Sequence, residues 1–400
     1  MAATPASLVW DTMLAMAEIN TTKRRISAAT VLLPFLLVSS AGAQLTSPPA
    51  PIAVEPRTID NLAHESSRRQ DIPGITLAVV DHGQVVYSHA FGRSDVENDV
   101  AATSASEIRT ASIAKPMTAL AAMVLASAGK LDLDAPVQQY CPAFPSKTSP
   151  DGKPWVVTTR ELLSHRAGVR WYRDDVELRN VKHYANLSEA VRHFGDDPLL
   201  FAPGEKMEYS SYGFVVVGCA IEGASGSTFI EYMQQVVFGP AGMAATFPDD
   251  PAKIIPHRSR GYEKAKEGTL ENAPLFDPSD RLPGGGWLST SEDLARFAAA
   301  VMAGKVVALP VLEEMWKPLT VQDDGSGYGL GWAVAQLAGH RVIGHNGGQA
   351  GSSTCLKMVP ERQLAIAIMT NVEGAALDDL ANSILGLYLG APGSAVNSPH

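Results

Sequence analysis

Three cysteines in 400 residues, Cys141, Cys219 and Cys355, are too few for a disulfide-knitted scaffold, and none stands in Cys-x-x-Cys spacing, so no zinc site is implied. Cys219 lies in an apolar run and Cys355 in a strand-like one, and both read as buried thiols. Charge is also scarce: Asp, Glu, Lys and Arg make up 18% of the chain, with a formal net charge of −10. No Lys/Arg run is long enough to follow a phosphate backbone, which argues against a nucleic-acid partner. The sequences His-Glu-x-x-His and Gly-x-Ser-x-Gly are absent, which removes two common hydrolytic arrangements. Gly284-Gly285-Gly286 is not followed by Gly-Lys-Ser/Thr, so it is no phosphate loop. What remains is 46% hydrophobic, a globular composition, in a chain long enough for two interlocked lobes.

The amino terminus reads as an export signal. Lys23, Arg24 and Arg25 precede an apolar run from Ile26 to Val38, and Ala41-Gly42-Ala43 fits a small-residue cleavage site before Gln44. The run is short for a bilayer span. An uncleaved membrane anchor is the rival reading, whereas Asp11 and Glu18 argue against a mitochondrial presequence. The expected organisation is a signal over 1–43, a Pro-rich linker over 44–56, a folded region over 57–390 and a tail over 391–400. The expected location is periplasmic or secreted, with no stable membrane association after cleavage.

Apolar runs Ile75–Val80 and Val85–Ala90 flank Asp81-His82-Gly83-Gln84, a hairpin signal. Ser112–Ala128 is an Ala/Leu/Met run stopped by Gly129, which predicts a helix. Thr290-Ser291-Glu292-Asp293 caps another. Tyr328–Leu337, Ser353–Val359 and Leu364–Thr370 read as strands, the last two joined by a hairpin at Pro360-Glu361-Arg362, and Ala375–Leu389 reads as a closing helix. Strands at both ends imply one sheet built from 57–130 and 281–390, with 131–280 inserted as an all-helical lobe. The fold class is α/β (α+β): a mixed, mainly antiparallel sheet flanked by helices.

Chemistry enters at Ser112. Ser-x-x-Lys sets a hydroxyl and an amine three residues apart on one helix face. A serine hydroxyl needs a base, and a lysine serves only when burial or nearby positive charge keeps its amine neutral. The pattern occurs twice, at Ser112/Lys115 and Ser127/Lys130. Ser127 ends a helical run, where an ordinary solvated lysine is expected, whereas Ser112 opens one, where the positive helix terminus also favours a developing oxyanion. The plainer reading of Ser112 is a helix cap. Tyr209-Ser210-Ser211 stands between a turn and a buried run, and Tyr184-Ala185-Asn186 competes with it from what reads as an exposed helix. Gly344-His345-Asn346-Gly347-Gly348 precedes a strand, and its glycines let backbone N–H groups approach a substrate.

The order Ser112-Ile113-Ala114-Lys115, Tyr209-Ser210-Ser211, His345-Asn346-Gly347 resembles the serine β-lactamase-related family. That family includes class C β-lactamases, D-Ala-D-Ala carboxypeptidases, D-aminopeptidases and esterases. The stretch Thr159–Gly168 is similar to its Leu-Leu-x-His-x-x-Gly segment, and Phe201–Gly204, Gly239–Met243 and Gly285–Thr290 also look family-like. Lys130–Tyr140 and Gly284–Phe297 resemble the mitochondrial β-lactamase-like protease branch. The resemblance implies a β-lactamase/transpeptidase-like fold. Ser112 would be the nucleophile, Lys115 its base and Tyr209 the proton relay. The N–H groups of Ser112 and Gly348 would form an oxyanion hole, and Ser211, His345, Asn346 and Gly347 would bind substrate. Two departures from the family's pattern matter. Ser211 stands where Asn is frequent, so contact with Lys115 or a substrate amide is expected to be weaker or through water. His345 heads the element that usually reads Lys-Thr-Gly, and is expected to change charge between about pH 5 and 8. The reading is a secreted serine hydrolase without metal or cofactor, acting through an acyl-enzyme on small-molecule or peptide substrates with an amide, peptide or ester bond, with weak β-lactamase activity as a further expectation. The alternative is a non-catalytic or penicillin-binding sensor of the same fold.

Overall fold

The computed structural model describes residues 54–321 and 326–391. The expected signal, most of the 44–56 linker and the tail beyond 391 lie outside the described residues. Helix α1 (Pro56–Arg69) opens the described chain, with Pro56 in its first turn, where no intrahelical N–H is needed. Strands β1 (Gly74–Asp81) and β2 (Gln84–Asp95) form the expected hairpin, with Asp81 opposite Gln84. His82 and Gly83 both take positive φ, the turn that matches strand twist. Then follow β3 (Ile108–Arg109), α2 (Ala114–Ser127), α3 (Thr159–Leu163), α4 (Ser211–Ser225), β4 (Trp287–Ser289) and α5 (Ser291–Met302). The C-terminal part supplies β5 (Ala333–Leu337), β6 (His340–Gln349), β7 (Ser352–Val359), β8 (Leu364–Thr370) and α6 (Asp378–Leu389).

The main sheet has nine strands in the order Thr320–Val321, Gly327–Tyr328, β5, β6, β7, β8, β1, β2, Val100–Ala101, and its pairings are antiparallel. The two ends of the chain meet where β1 pairs with β8, Thr76 opposite Met369. Strand periodicity divides the core. Ala78 and Val80 of β1 and Ala365, Ala367 and Met369 of β8 join the cluster that contains α2 and α5. Ile75, Leu77 and Val79, with Leu364, Ile366 and Ile368, join the cluster under α1 and α6. Both faces are therefore covered, and these strands read as continuous apolar runs rather than alternating ones.

Three expectations change. The strand expected over Tyr328–Leu337 is two strands, because Gly331, at φ +80°, turns in to donate its N–H to the Leu163 carbonyl. A Cβ there would lie 2.5 Å from that of Ala119 on α2, so the break is tied to close packing. The insert carries short two-stranded ribbons, Lys147–Thr148 with Pro154–Trp155 and Tyr262–Lys264 with Leu270–Asn272, beside its helices. Cys219, read as a buried thiol, instead forms a disulfide with Cys141 across 78 residues. The apolar surroundings of Cys219 correctly implied burial, but sequence spacing is silent about a partner that distant. Cys355 is free and buried, as expected. Among the described residues no single helix is long and apolar enough to cross a membrane.

Candidate active site

Arg109 on β3 pairs with Leu288 on β4, and the Thr110 N–H donates to the Trp287 carbonyl at 2.8 Å. The Thr354 hydroxyl on β7 donates to the Thr110 carbonyl at 2.9 Å. Ala111 is then held at φ +46°, an uncommon conformation for a residue with a Cβ. One 3-10 turn over Ala111–Ile113 carries Ser112 into α2. Pro116 costs little so near the helix start. Lys115 is fully buried and Ser112 half-buried, whereas Ser127 and Lys130 are exposed at the far end of the helix.

The Lys115 Nζ has three oxygen neighbours: Ser112 Oγ at 3.0 Å, Ser211 Oγ at 3.0 Å and the Gly284 carbonyl at 2.9 Å. Among the described residues no carboxylate forms an ion pair with it. Burial, and next the charge of Arg281, hold its amine well below the usual lysine range. A neutral amine has two N–H groups and one lone pair, which match three neighbours: donation to the Gly284 carbonyl and Ser211, and acceptance from the Ser112 hydroxyl. An amine so placed can take up the proton of the Ser112 hydroxyl. Arg281 is itself buried, paired with Asp280 at 2.7 Å and donating to the Leu178 and Glu177 carbonyls.

Tyr209 precedes Ser210, the N-cap of α4, whose hydroxyl accepts from the Gly213 N–H. The Tyr209 ring lies 4.7 Å beneath Lys115 Nζ, and Ser112 is the group that acts on its phenol against burial. Burial pushes this phenol above its ordinary range, only partly offset by Ser112, so it stays protonated at neutral pH. Ser211 opens α4 and reaches Lys115 directly, so the shorter side chain needs no bridging water. Tyr184 is buried rather than exposed; it lies before the helix Leu187–Phe194, and its N–H donates to Ser279 Oγ.

Strand β6 supplies the opposite wall. Its pairing with β5 ends at Gly344, so the edge from His345 to Gln349 away from β7 is unpaired among the described residues. Alternation divides the motif. Gly347 faces the serine, and a Cβ on it would lie 2.9 Å from the Ser112 nitrogen, so only glycine lets the strand come this close. Gly348 follows on the exposed edge. Asn346 faces the other way, and its amide donates to Asp378 on α6 at 2.7 Å. Its side chain is therefore not brought to the site. His345 faces the site but is buried, with Nδ1 2.5 Å from the Asn346 carbonyl and Nε2 3.0 Å from the Tyr328 hydroxyl. A neutral ring that donates from Nδ1 and accepts the Tyr328 proton at Nε2 satisfies both. Burial, and next the charge of Lys115, lower its pKa to about 3. The expected charge change between pH 5 and 8 is thus not what this site provides.

Several neighbours were not singled out from sequence. The Gly284 carbonyl holds Lys115, and the triple glycine, set aside as a phosphate loop, was its visible trace. Tyr328 and Arg281 left no such trace. Trp171 is half-buried with its ring 5.4 Å from that of Tyr209. Among the described residues no three His, Cys, Asp or Glu side chains converge as a metal site.

The fold agrees with the comparisons to known proteins. The human mitochondrial serine beta-lactamase-like protein LACTB is 29% identical, over 81% of this chain and 78% of its own. The octameric penicillin-binding protein homologue from Pyrococcus abyssi matches at a TM-score of 0.76 and 26% identity, over 86% of this chain and 79% of its own. A D-stereospecific amidohydrolase from Streptomyces shares the fold at a TM-score of 0.71 and 24% identity, over 84% of this chain and 99% of its own. The Beta-lactamase family model matches residues 59–389, and the chain belongs to that family.

Proposed function

We propose that the protein is a serine hydrolase that works through an acyl-enzyme on Ser112. The observation that carries this reading is the buried Lys115 amine, held by burial in its neutral form 3.0 Å from the Ser112 hydroxyl. Lys115 takes the hydroxyl proton as Ser112 Oγ bonds to the substrate carbonyl carbon. The oxyanion is received by the N–H groups of Ser112 and Gly348 at the start of the helix. Tyr209 hands its phenol proton to the leaving group as the carbon–leaving-group bond breaks, and is reprotonated with the proton that Lys115 took from Ser112. A water then adds to the acyl-enzyme by the same proton path and frees Ser112.

Substrate preference follows from His345. It stands where a permanent cation would greet a substrate carboxylate, and it is uncharged at working pH. Neutral esters, amides and internal peptide bonds suit this cleft better than carboxylate-bearing β-lactams or C-terminal peptides. Treatment with a fluorophosphonate should place the adduct on Ser112 by mass spectrometry, and Ser112→Ala should abolish it. An adduct on Ser127, or labelling that survives Ser112→Ala, overturns the assignment.

Export is the second part of the reading. It is supported by the Lys23–Ala43 sequence pattern and by the Cys141–Cys219 disulfide, a bond that persists in oxidising compartments. Non-reducing peptide mapping of the protein recovered outside the cytoplasm should find this pair linked and the chain beginning at Gln44. A chain retaining residues 23–43 in the membrane fraction would favour the anchor instead.

A further inference from the structure

His165 takes no part in the chemistry above, yet it holds Tyr209 from three sides. Its carbonyl accepts the Glu208 N–H at 2.8 Å. Its Nδ1 accepts the Ser210 N–H at 3.2 Å. Its ring lies 4.2 Å, centroid to centroid, from the Tyr209 ring. The residues before and after Tyr209 are therefore fastened to one side chain and its own backbone. The same imidazole lies 4.9 Å from the Tyr328 ring and 5.2 Å from Phe214, and is 2% exposed. The surrounding segment repeats the pattern: Gly204 N–H donates to the Arg166 carbonyl, Leu200 N–H to the Gly168 carbonyl, and the Ser210 hydroxyl to the Arg170 carbonyl. Residues 165–170 are thus a bed on which the loop carrying Tyr209 lies.

His165 sits at φ +58°, the left-handed region where a residue with a Cβ is strained. The strain brings the backbone carbonyl and Nδ1 of one residue to bear on the same loop. Acceptance at Nδ1 requires a neutral ring with its proton on Nε2, because an imidazolium has no acceptor. Burial keeps it so, and Lys115 and His345, the titratable groups turned towards it, push the same way wherever they are protonated. Tyr209 and Tyr328 are protonated phenols, and Ser210 offers only its N–H.

We propose that His165 is a positioning residue for Tyr209, fixing the phenol against Ser112 through the Ser210 N–H, and that it matters most for substrates whose leaving group must be protonated. The inference rests on the serine-hydrolase reading. A p-nitrophenolate departs as an anion without a proton, whereas an alkoxide or amine cannot leave without one. A loosened Tyr209 should therefore slow acylation by alkyl esters and amides and spare p-nitrophenyl esters.

The test compares kcat/KM for a p-nitrophenyl ester and the methyl ester of the same acid. His165→Phe keeps a ring but removes the acceptor. It should lose about 10- to 100-fold on the methyl ester, within the range of a general acid, and less than about threefold on the p-nitrophenyl ester. His165→Asn puts an acceptor oxygen near the Nδ1 position and tolerates the left-handed backbone. It should recover the methyl ester to within about threefold of wild type. Equal losses on both esters, no loss on either, or failure of Asn to recover would overturn the proposal. A second measurement needs no variant: nitrogen-15 NMR of the wild type should show His165 as the Nε2–H tautomer at neutral pH. An Nδ1–H tautomer or an imidazolium would overturn it even if His165→Phe did not fold. Fluorophosphonate labelling of wild type separates the two levels. An unlabelled Ser112 rejects the hydrolase reading and this inference together, and a labelled Ser112 with equal losses rejects His165 alone.

Discussion

Lys115→Met is expected to slow acylation of Ser112 by about 10⁴-fold or more, at the upper end of what a general base contributes. The thioether fills the same volume but has neither lone pair nor proton for the Ser112 hydroxyl. Pre-steady-state release of p-nitrophenolate would measure this, and a variant within tenfold of wild type would mean that another group takes the proton. The pH dependence follows from the sign of the shift. Acylation needs the neutral amine, whose pKa is lowered by burial and then by Arg281. Wild-type acylation should rise as pH climbs through that depressed value, and the residual rate of the variant should not share this rise. Stability is linked to the same group. Between the depressed pKa and about 10.4 the unfolded chain binds a proton that the folded one does not, so Lys115 adds an upward slope of stability with pH. Thermal melts of Lys115→Met should lack that slope.

Tyr209→Phe is expected to lower turnover about 10²- to 10⁴-fold. The ring remains, so the contact with Lys115 Nζ and the stack on His165 survive, and the loss isolates the phenol proton. Tyr184→Phe should turn over substrate near the wild-type rate, because its ring is packed by Leu187–Phe194, away from Ser112. Steady-state assays on one neutral ester decide the matter, and equal losses in the two variants would reject the choice of Tyr209. Because burial raises the Tyr209 pKa, its phenol holds its proton at neutral pH, as the proposed role of proton donor requires.

Local signals were legible wherever chemistry and fold agreed. The β1–β2 turn is written in His82-Gly83, and the end of α2 in Gly129, which takes φ +69°. Helix α5 is written in Thr290, whose hydroxyl accepts the Asp293 N–H. Ser112 could be told from Ser127 because only the first opens a helix. Long-range facts were hidden. No spacing rule links Cys141 to Cys219, or Gly284 to Lys115 across 169 residues. The His345 motif was found, but which of its side chains enters the site depends on strand face, and only the pairing of β6 with β7 sets that. The charge of His345 was misjudged because burial by Tyr328 and Tyr209 comes from segments far away in sequence.

The pairing of β1 with β8 also bears on how the chain comes to be active. Ser112 is made early, but the strand edge beside it spans residues 345–349, and β1 finds its second neighbour only at 364–370. A nascent or translocating chain that has emerged only as far as β5 has the Ser112/Lys115 pair but no wall facing it and no closed sheet. Loops this long must close before their contacts can form, which makes assembly of the sheet a late event. The candidate site is thus completed almost last, by residues from the opposite end of the polypeptide.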